Sequence, residues 1–272
     1  MNQLISYAQN YEDIMLYRAL KGVKKGFYID IGAACPDLYS VTKLFYKKGW
    51  SGINIEPNPL FYKELESKRN RDINLSCAIG EKGNAKFFIL ENTGLSTLKK
   101  QIYEEHINNG FLGKEHQVQV KSISAIWENH VHKNQDVHFL KLDIEGSEYS
   151  AIKGCDWNKY RPWIVVVEAT EPLIQKENHD KWESIILKQD YLFAYADGLN
   201  RFYVAAEHDE ILEHFKYPPN VFDNFIQIDK LILQNDLHNI KNSISWKITS
   251  PLRKMRKIVF KFLKTLIKDK KG

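Results

Sequence analysis

The sequence predicts an α/β fold: an open, mostly parallel sheet with helices on both faces, followed by a C-terminal helical extension. Residues 27–31 are a short apolar and β-branched run between Gly26 and Gly32, which is typical of a buried parallel strand. A helical pattern and a second buried strand, residues 52–55, come next. A carboxylate lies at the end of each strand, on the edge where open α/β sheets bind their ligands.

Hydrophobic periodicity and end signals predict the other elements. The helix between the first two strands should begin near Pro36 and Asp37, and the next should begin after Asn58, an N-cap, with Pro59 as its first residue. Residues 99–114 are expected to form a loop that acts as a lid. We expect further helices over 6–21 and 59–68, strands over 73–79, 137–142 and 163–168, and hairpins that pair 87–90 with 117–120 and 191–195 with 202–206.

The turn after the first strand indicates the kind of ligand. Gly32, Ala33 and Ala34 are small, so a ligand can approach the backbone, and Glu56 can accept hydrogen bonds from a ribose diol. The turn lacks the Gly-x-Gly-x-x-Gly pattern that binds a pyrophosphate. Asp30 would repel a pyrophosphate but attract an ammonium group. The pattern therefore favours S-adenosylmethionine over NAD.

Several motifs together resemble one family, the FkbM family of S-adenosylmethionine-dependent methyltransferases. The motifs are Tyr28-Ile-Asp-Ile-Gly-Ala, Ser40-Val-Thr, Gly49-Trp, Glu56-Pro-Asn-Pro, Lys141-Leu-Asp-Ile-Glu-Gly and Arg161-Pro-Trp. The resemblance covers roughly residues 6–206. It implies a Rossmann-like, seven-stranded class I methyltransferase sheet and methyl transfer to an oxygen.

The turn chemistry and the resemblance together predict a cofactor site. In the family, the segment that contains Gln9 lies near the cofactor pocket, although Glu12 and Asp13 beside it also suit a solvated first helical turn. In the fold that this implies, the adenine lies near the end of the third strand, at Cys77 and Ala78. The predicted cofactor-binding residues are Gln9, Asp30, Gly32, Ala33, Glu56, Cys77, Ala78 and Asp143.

Three acids follow the fourth strand within six residues and are the predicted catalytic residues: Asp143, Glu145 and Glu148. The like charges of these carboxylates repel one another and destabilise the fold unless positive partners or ligands offset them. Asp143 should face the methionine end of the cofactor, and Glu145 is our first candidate for the general base that deprotonates the acceptor. Glu148 also suits a structural role in the first turn of the next helix, with Ser147 as its cap. Lys141 should pair with an acid from the other side of its strand.

A further acid, Glu168, ends the fifth strand, and two hydroxyl residues, Ser96 and Thr97, match a Ser-Thr-Leu element of the family. We expect Glu168 to contact the acceptor and the two hydroxyls to hold either the acceptor or the cofactor, although a plain Ser/Thr turn explains the hydroxyls equally well. Asp143 and Glu168 lie at neighbouring strand ends and could bind Mg²⁺. Two carboxylates in a cleft also serve simply to bind cofactor and acceptor, so a metal is not predicted.

Charge and composition divide the chain. The net charge is +5, and the last twenty residues carry +8, so the other 252 carry −3. A nucleic-acid-binding face on the sheet domain is therefore not expected. We predict a methyltransferase domain over 1–206, an aromatic and proline-containing linker over 207–245 and a basic amphipathic tail over 246–272. An apolar stripe opposite the basic residues of 253–270 suits an anionic membrane surface or a glycan-assembly partner.

The sequence thus predicts an O-methyltransferase that acts on a sugar hydroxyl during bacterial glycan or polysaccharide biosynthesis. The three cysteines form no Cys-x-x-Cys, and no signal peptide or long apolar segment is recognised, so we expect a cytoplasmic protein, peripheral at the inner membrane face. Two alternatives stay open. One is another nucleotide-cofactor enzyme such as a dehydrogenase, and the other is a non-catalytic scaffold of a glycan-assembly complex.

Overall fold

The computed structural model describes residues 3–91, 93–172, 174–253 and 255–256 of the chain. The chain forms two compact units, residues 1–225 and 226–272. The division falls inside the segment that the sequence predicts as a linker. The first unit contains the main sheet, and the described part of the second contains two helices.

Fourteen strands occur in the described residues, and seven of them form the main sheet. The strands are β1 (Leu4–Ser6), β2 (Phe27–Ile31), β3 (Ser51–Ile55), β4 (Ile73–Leu75), β5 (Ala78–Ile79), β6 (Gly83–Leu90), β7 (Gly113–Lys121), β8 (Phe139–Leu142), β9 (Ile164–Glu168), β10 (Thr170–Glu171), β11 (Ile174–Glu177), β12 (Tyr191–Ala196), β13 (Asn200–Ala205) and β14 (Phe225–Gln227). The main sheet has the order β12-β13-β9-β8-β2-β3-β4. Only β13 runs antiparallel to its neighbours there, β9 and β12.

Nine helices occur in the described residues. They are α1 (Glu12–Ala19), α2 (Lys43–Lys47), α3 (Pro59–Lys68), α4 (Lys100–Asn108), α5 (Ile123–His130), α6 (Glu148–Lys153), α7 (Glu183–Leu187), α8 (Ile228–Asn242) and α9 (Ile244–Ile248). Three short 3₁₀ segments are His179–Lys181, Ala206–Phe215 and Val221–Asp223. The predicted α/β class is confirmed.

Alternation along the strands produces two cores. In β2, Ile29 and Ile31 pack in one core with residues of α5, α6 and α7, while Tyr28 packs in the other with Met15 of α1 and Phe45 of α2. Each of these side chains is at most 1% exposed. Burying one such side chain stabilises the fold by roughly 1.5–3 kcal/mol. The two cores fix the sheet, and therefore the edge that carries the site.

Two helices begin later than the sequence predicts. The helix expected from Pro36 begins at Lys43, because the Pro36 carbonyl accepts a hydrogen bond from the buried Arg69 guanidinium at 2.8 Å instead of a helical amide. The helix expected from residue 6 begins at Glu12. There the Asp13 carboxylate accepts hydrogen bonds from the backbone amides of Tyr7 and Ala8, which holds that segment in a turn.

The predicted third strand is divided. Its first part, β4, joins the main sheet, while β5 joins a separate three-stranded sheet of order β5-β7-β6, which we call the accessory sheet. The predicted hairpin is confirmed, since β6 and β7 pair in antiparallel fashion, but its register differs: 87–90 pair with 113–116, and 117–120 pair with 83–86. Residues 99–114, predicted as a loop, include the helix α4.

The second unit contains α8 and α9, and in it, as far as the chain is described, no residue of either helix is buried. The predicted amphipathic helix over 253–270 lies almost wholly outside the described residues. None of the described helices has the length and apolar character needed to cross a membrane.

Candidate active site

A cleft of about 740 Å³ lies at the carboxyl ends of β2, β3, β8 and β9. This is the edge at which open α/β sheets bind ligands. Of the predicted site residues, those that line the cleft are Gln9, Gly32, Ala33, Glu56, Cys77, Ala78, Ser96, Asp143, Glu145 and Glu168. Asp30, Thr97 and Glu148 are not among the lining residues.

The turn after β2 brings its backbone against the end of β8. Gly32 has a φ of 79°, and a Cβ at this position would lie 1.8 Å from the Asp143 carbonyl oxygen, so only glycine fits. The amides of Gly32 and Ala33 donate to the Ile55 carbonyl oxygen at 3.0 and 3.2 Å. The backbone of this turn therefore borders the cleft, where small side chains leave room for a ligand, as the sequence predicts.

Glu56 lines the cleft directly after β3. Its carboxylate is nearly buried and accepts hydrogen bonds from the amides of Ala34 at 2.8 Å and Asn58 at 2.7 Å. Burial raises the pKa of Glu56 to about 7, although the two amides oppose the shift. Each carboxylate oxygen keeps a further lone pair, so two ligand hydroxyls can still donate to it.

Apolar side chains form the neighbouring part of the cleft. Cys77 and Ala78 are at most 3% exposed yet line the cleft, as do Ile79, Phe61 and Phe87. A flat apolar ring such as adenine suits this lining. The sequence predicts Cys77 and Ala78 here, whereas Phe61 and Phe87 carry no motif that would have identified them.

The predicted role of Asp30 needs correction. Asp30 is 1% exposed, accepts a hydrogen bond from the Thr42 hydroxyl at 2.9 Å and lies 3.6 Å from the Lys141 ammonium. The ammonium expected beside Asp30 therefore comes from within the chain. Lys141 also donates to the Gly32 carbonyl at 2.8 Å and pairs with Asp143 at 3.2 Å.

Lys141 pairs with acids, as predicted, but on the same side of its strand as Asp143, because both residues line the cleft. Burial lowers the pKa of Lys141, and the charges of Asp143 and Asp30 more than offset this, so the pKa lies above its ordinary value. Lys141 is therefore a charged, buried group that ties β2 to β8 at the edge where the cleft begins.

Three acids from the ends of β8 and β9 form what we call the carboxylate cluster: Asp143, Glu145 and Glu168. One carboxylate oxygen of each lies within 4.8 Å of the others. Burial first, and then the neighbouring acids, raise the pKa values of Glu145 and Glu168 well above their ordinary range. The cluster can hold protons, hydroxyl groups or a cation. The cluster contains all the acids that the sequence predicts as catalytic or acceptor-binding except Glu148.

The backbone beyond β8 positions Glu145. Glu145 has a φ of 50° and Gly146 a φ of 92°, so two successive residues are left-handed. The Thr97 hydroxyl donates to the Glu145 carbonyl at 2.7 Å. Thr97 is fully buried, so the structure gives it this positioning role in place of the predicted contact with an acceptor. Ser96 does line the cleft, and its hydroxyl accepts from the Leu90 amide at 3.1 Å.

Glu148 has a structural role in this structure, in place of the predicted catalytic one. Its carboxylate accepts hydrogen bonds from the amides of Ile144 at 3.2 Å and Gly146 at 3.1 Å. Burial raises its pKa to about 7. It stabilises the turn that presents Glu145. Ser147, the predicted cap, makes no capping hydrogen bond.

Glu12 and Asn200 are two polar residues among those that line the cleft in addition to the predicted site residues. Glu12 is 5% exposed, so the first turn of α1 is not solvated, and it accepts a hydrogen bond from the Asn200 side chain at 2.8 Å. Asn200 lies in the hairpin of β12 and β13, where the sequence shows only a turn signal. Within the described residues, no histidine lines the cleft.

The cleft defines a class. A buried acid beside the glycine turn, an apolar lining and a cluster of acids suit a nucleoside cofactor, and the turn lacks the glycine-rich pattern of a dinucleotide site. Residues 30–193, more than half of the chain, match the family model of the methyltransferase FkbM domain, and the chain belongs to that family. It is therefore an S-adenosylmethionine-dependent methyltransferase. A search of curated proteins found no match.

Proposed function

We propose that this protein moves the methyl group of S-adenosylmethionine to a sugar hydroxyl during glycan or polysaccharide biosynthesis. The observation that best supports this proposal is that the carboxylate cluster lines the same cleft as the turn at Gly32. Carboxylates bind several hydroxyl groups at once and can take a proton from one of them. The strand order of the main sheet, with a single antiparallel strand, supports a class I methyltransferase arrangement.

We infer that the cofactor lies along the β2 and β3 ends of the cleft. Glu56 would accept the ribose hydroxyls, and the lining formed by Cys77, Ala78 and Ile79 would contact the adenine. Asp143, 35% exposed, would face the methionine end. Gln9 is an exposed residue at the rim and would contact the cofactor from the α1 side. S-adenosylmethionine supplies a methyl group on a sulfonium, which is a good leaving group.

The chain's part in the reaction is alignment and proton removal. The carbon–oxygen bond forms as the carbon–sulfur bond breaks, and the acceptor hydroxyl gives its proton to a carboxylate, for which Glu145 is our candidate. Because Glu145 is buried, its pKa is raised, and a nearby positive charge favours its ionised form. Glu145 should therefore become an effective base when the cofactor is bound. Glu168 would hold the acceptor through a second hydroxyl.

The proposal is tested by measuring S-adenosylhomocysteine release with a panel of nucleotide sugars, lipid-linked sugars and free glycans. Glu145→Gln keeps the size of the side chain but should lower turnover at least tenfold while the cofactor dissociation constant stays the same. Glu81→Gln is the matched control, because Glu81 is an exposed carboxylate outside the cleft. Failure of every hydroxyl acceptor, with the wild type folded and binding the cofactor, would refute the sugar assignment.

We also propose that the C-terminal part of the chain brings the enzyme to an anionic membrane face or to a glycan-assembly partner. The exposed apolar residues Leu233, Leu237 and Ile240 of α8, together with the basic composition of residues 253–270, support a surface of this kind. Sedimentation with anionic vesicles, compared with neutral vesicles, tests the membrane version. A cytoplasmic location at the inner membrane face is part of this proposal.

A scaffold without activity is the second candidate, and those exposed apolar residues are the observation that favours it. In that case the cofactor would bind without turnover in the presence of any acceptor. A dehydrogenase is less well supported, since the turn at Gly32 lacks the second and third glycines of a dinucleotide site. Calorimetric titration with NADH and S-adenosylmethionine separates these alternatives.

A further inference from the structure

The carboxylate cluster has the donor set of a cation site. Its three acids, Asp143, Glu145 and Glu168, come from the ends of two adjacent parallel strands and each presents an oxygen within 4.8 Å of the others. Hard divalent cations such as Mg²⁺, Mn²⁺ and Ca²⁺ prefer carboxylate oxygens. An acidic cluster by itself does not make a site, so the partners of these oxygens decide the matter.

One oxygen of the cluster has no partner. Oε2 of Glu145 is buried and makes no hydrogen bond, and the whole residue is only 8% exposed. Buried polar atoms in proteins are nearly always paired, because an unpaired one costs free energy. Glu145 lines the cleft together with the other two acids, so an unpaired oxygen there indicates a bound group that belongs to this position.

The chain supplies too little positive charge for these acids. Among the residues that the structure describes, Lys141 alone forms a salt bridge to the cluster, through Asp143 at 3.2 Å. Lys141 also lies 3.6 Å from Asp30 and donates to the Gly32 carbonyl. Its charge is thus shared with an acid outside the cluster, and in the described part of the chain neither Glu145 nor Glu168 has an ion-pair partner.

We propose that Asp143, Glu145 and Glu168 bind a divalent cation. Two ligands on opposite sides of a cation lie about 4.2 Å apart for Mg²⁺ and about 4.8 Å apart for Ca²⁺, twice the usual metal–oxygen distances. The three oxygens lie no further apart than 4.8 Å, which is within the span of the ligands around one such ion.

The site also implies a class of acceptor, and this part rests on the proposed function. Three carboxylates leave coordination positions that face the cleft, where two neighbouring hydroxyls of one sugar can bind. A vicinal diol is therefore the expected acceptor. The cation would lower the pKa of the bound hydroxyl. A carboxylate can coordinate through one oxygen and accept a proton through the other, so coordination by Glu145 is compatible with its role as base.

The test is direct binding of Mn²⁺ to the full chain, freed of metal by a chelator and followed by electron paramagnetic resonance, with Mg²⁺ and Ca²⁺ as competitors. One Mn²⁺ per chain is expected to bind, with or without S-adenosylhomocysteine. Glu145→Gln and Glu168→Gln should each weaken binding at least tenfold, whereas Glu81→Gln should leave it unchanged. Thermal unfolding of each variant checks that it is folded.

The outcomes separate the cation site from the proposed function. No Mn²⁺ binding by the folded wild type, or equal binding by wild type and both cluster variants, overturns the site. Binding that is lost in the cluster variants supports it, even if no sugar acceptor is ever methylated, in which case only the sugar assignment fails. If methyl transfer to a vicinal diol proceeds undiminished in excess chelator, the proposed link between cation and acceptor is wrong.

Discussion

Replacing Glu56 with glutamine should weaken binding of S-adenosylmethionine. The wild-type carboxylate accepts hydrogen bonds from the backbone amides of Ala34 at 2.8 Å and Asn58 at 2.7 Å. Each of its oxygens keeps a further lone pair for a ligand. In Glu56→Gln, one oxygen becomes an NH₂ group, which accepts nothing. The variant should therefore lose one backbone hydrogen bond and one bond to the ribose diol, and also the charge that strengthens the remaining bonds.

The size of both effects can be worked out. A hydrogen bond to a charged group contributes about 1.5–3 kcal/mol, and about 1.4 kcal/mol corresponds to a factor of ten in affinity, so the dissociation constant should rise about 10- to 100-fold. The lost backbone bond leaves a buried amide unpaired and should cost about 1–3 kcal/mol of folding stability. The variant should thus unfold several degrees earlier than the wild type but remain folded at room temperature.

Calorimetric titration with S-adenosylmethionine and S-adenosylhomocysteine measures the affinity at about pH 6 and about pH 8, on either side of the Glu56 pKa of about 7. Wild-type affinity should fall at the lower pH, where the carboxyl is protonated, and the affinity of Glu56→Gln should depend less on pH. Glu81→Gln serves as the control for loss of an exposed charge. An unchanged dissociation constant in folded Glu56→Gln would refute the assignment of Glu56 to the ribose.

Three further predictions concern the turn, the positioning of the base and stability. Gly32→Ala should lower the melting temperature strongly or prevent folding, because its Cβ would lie 1.8 Å from the Asp143 carbonyl; a wild-type melting curve would contradict this. Thr97→Val removes the hydrogen bond to the Glu145 carbonyl, so turnover should fall while calorimetry shows unchanged cofactor affinity. Burial raises the Glu12 pKa from 4.5 to about 7, so the folded chain holds this proton more tightly than the unfolded chain. The contribution of Glu12 to stability is therefore greatest below its unfolded pKa and is lost as pH rises through about 7. Urea unfolding across this range should show a smaller decline in Glu12→Gln, and an equal decline would contradict the reasoning.

Helix caps and apolar runs in the sequence correctly predicted the elements whose ends are set by neighbouring residues. The helix α3 begins as expected, because Asn58 caps it by accepting the Leu60 amide at 3.1 Å and Pro59 occupies its first position. The strands β2 and β3 follow from their apolar runs and their flanking glycines. Where a tertiary contact replaces a local hydrogen bond, prediction fails. The Pro36 carbonyl, which binds Arg69 thirty-three positions away, is the clearest example.

The same distinction applies to the site. Gly32, Glu56 and Asp143 were predicted because a strand end and a turn are visible in the sequence, and all three line the cleft. The positioning of Glu145 by Thr97, 48 positions earlier, depends on how the segment that follows β6 folds against the turn that follows β8. The pairing of Asp30 with Lys141 likewise joins two strands that are adjacent in space and distant in the chain.

The accessory sheet gives the domain a separable region for evolutionary change. It has a small core of its own, formed by residues of β5, β6 and β7, and the segment between β6 and β7 contributes Gly94, Leu95 and Ser96 to the cleft wall. A sheet with a core of its own can exchange exposed loop residues with little effect on the main sheet, provided that Thr97 keeps its hydrogen bond to Glu145. We therefore expect divergence among homologues to concentrate here, and acceptor preference to be transferable by grafting this segment between them.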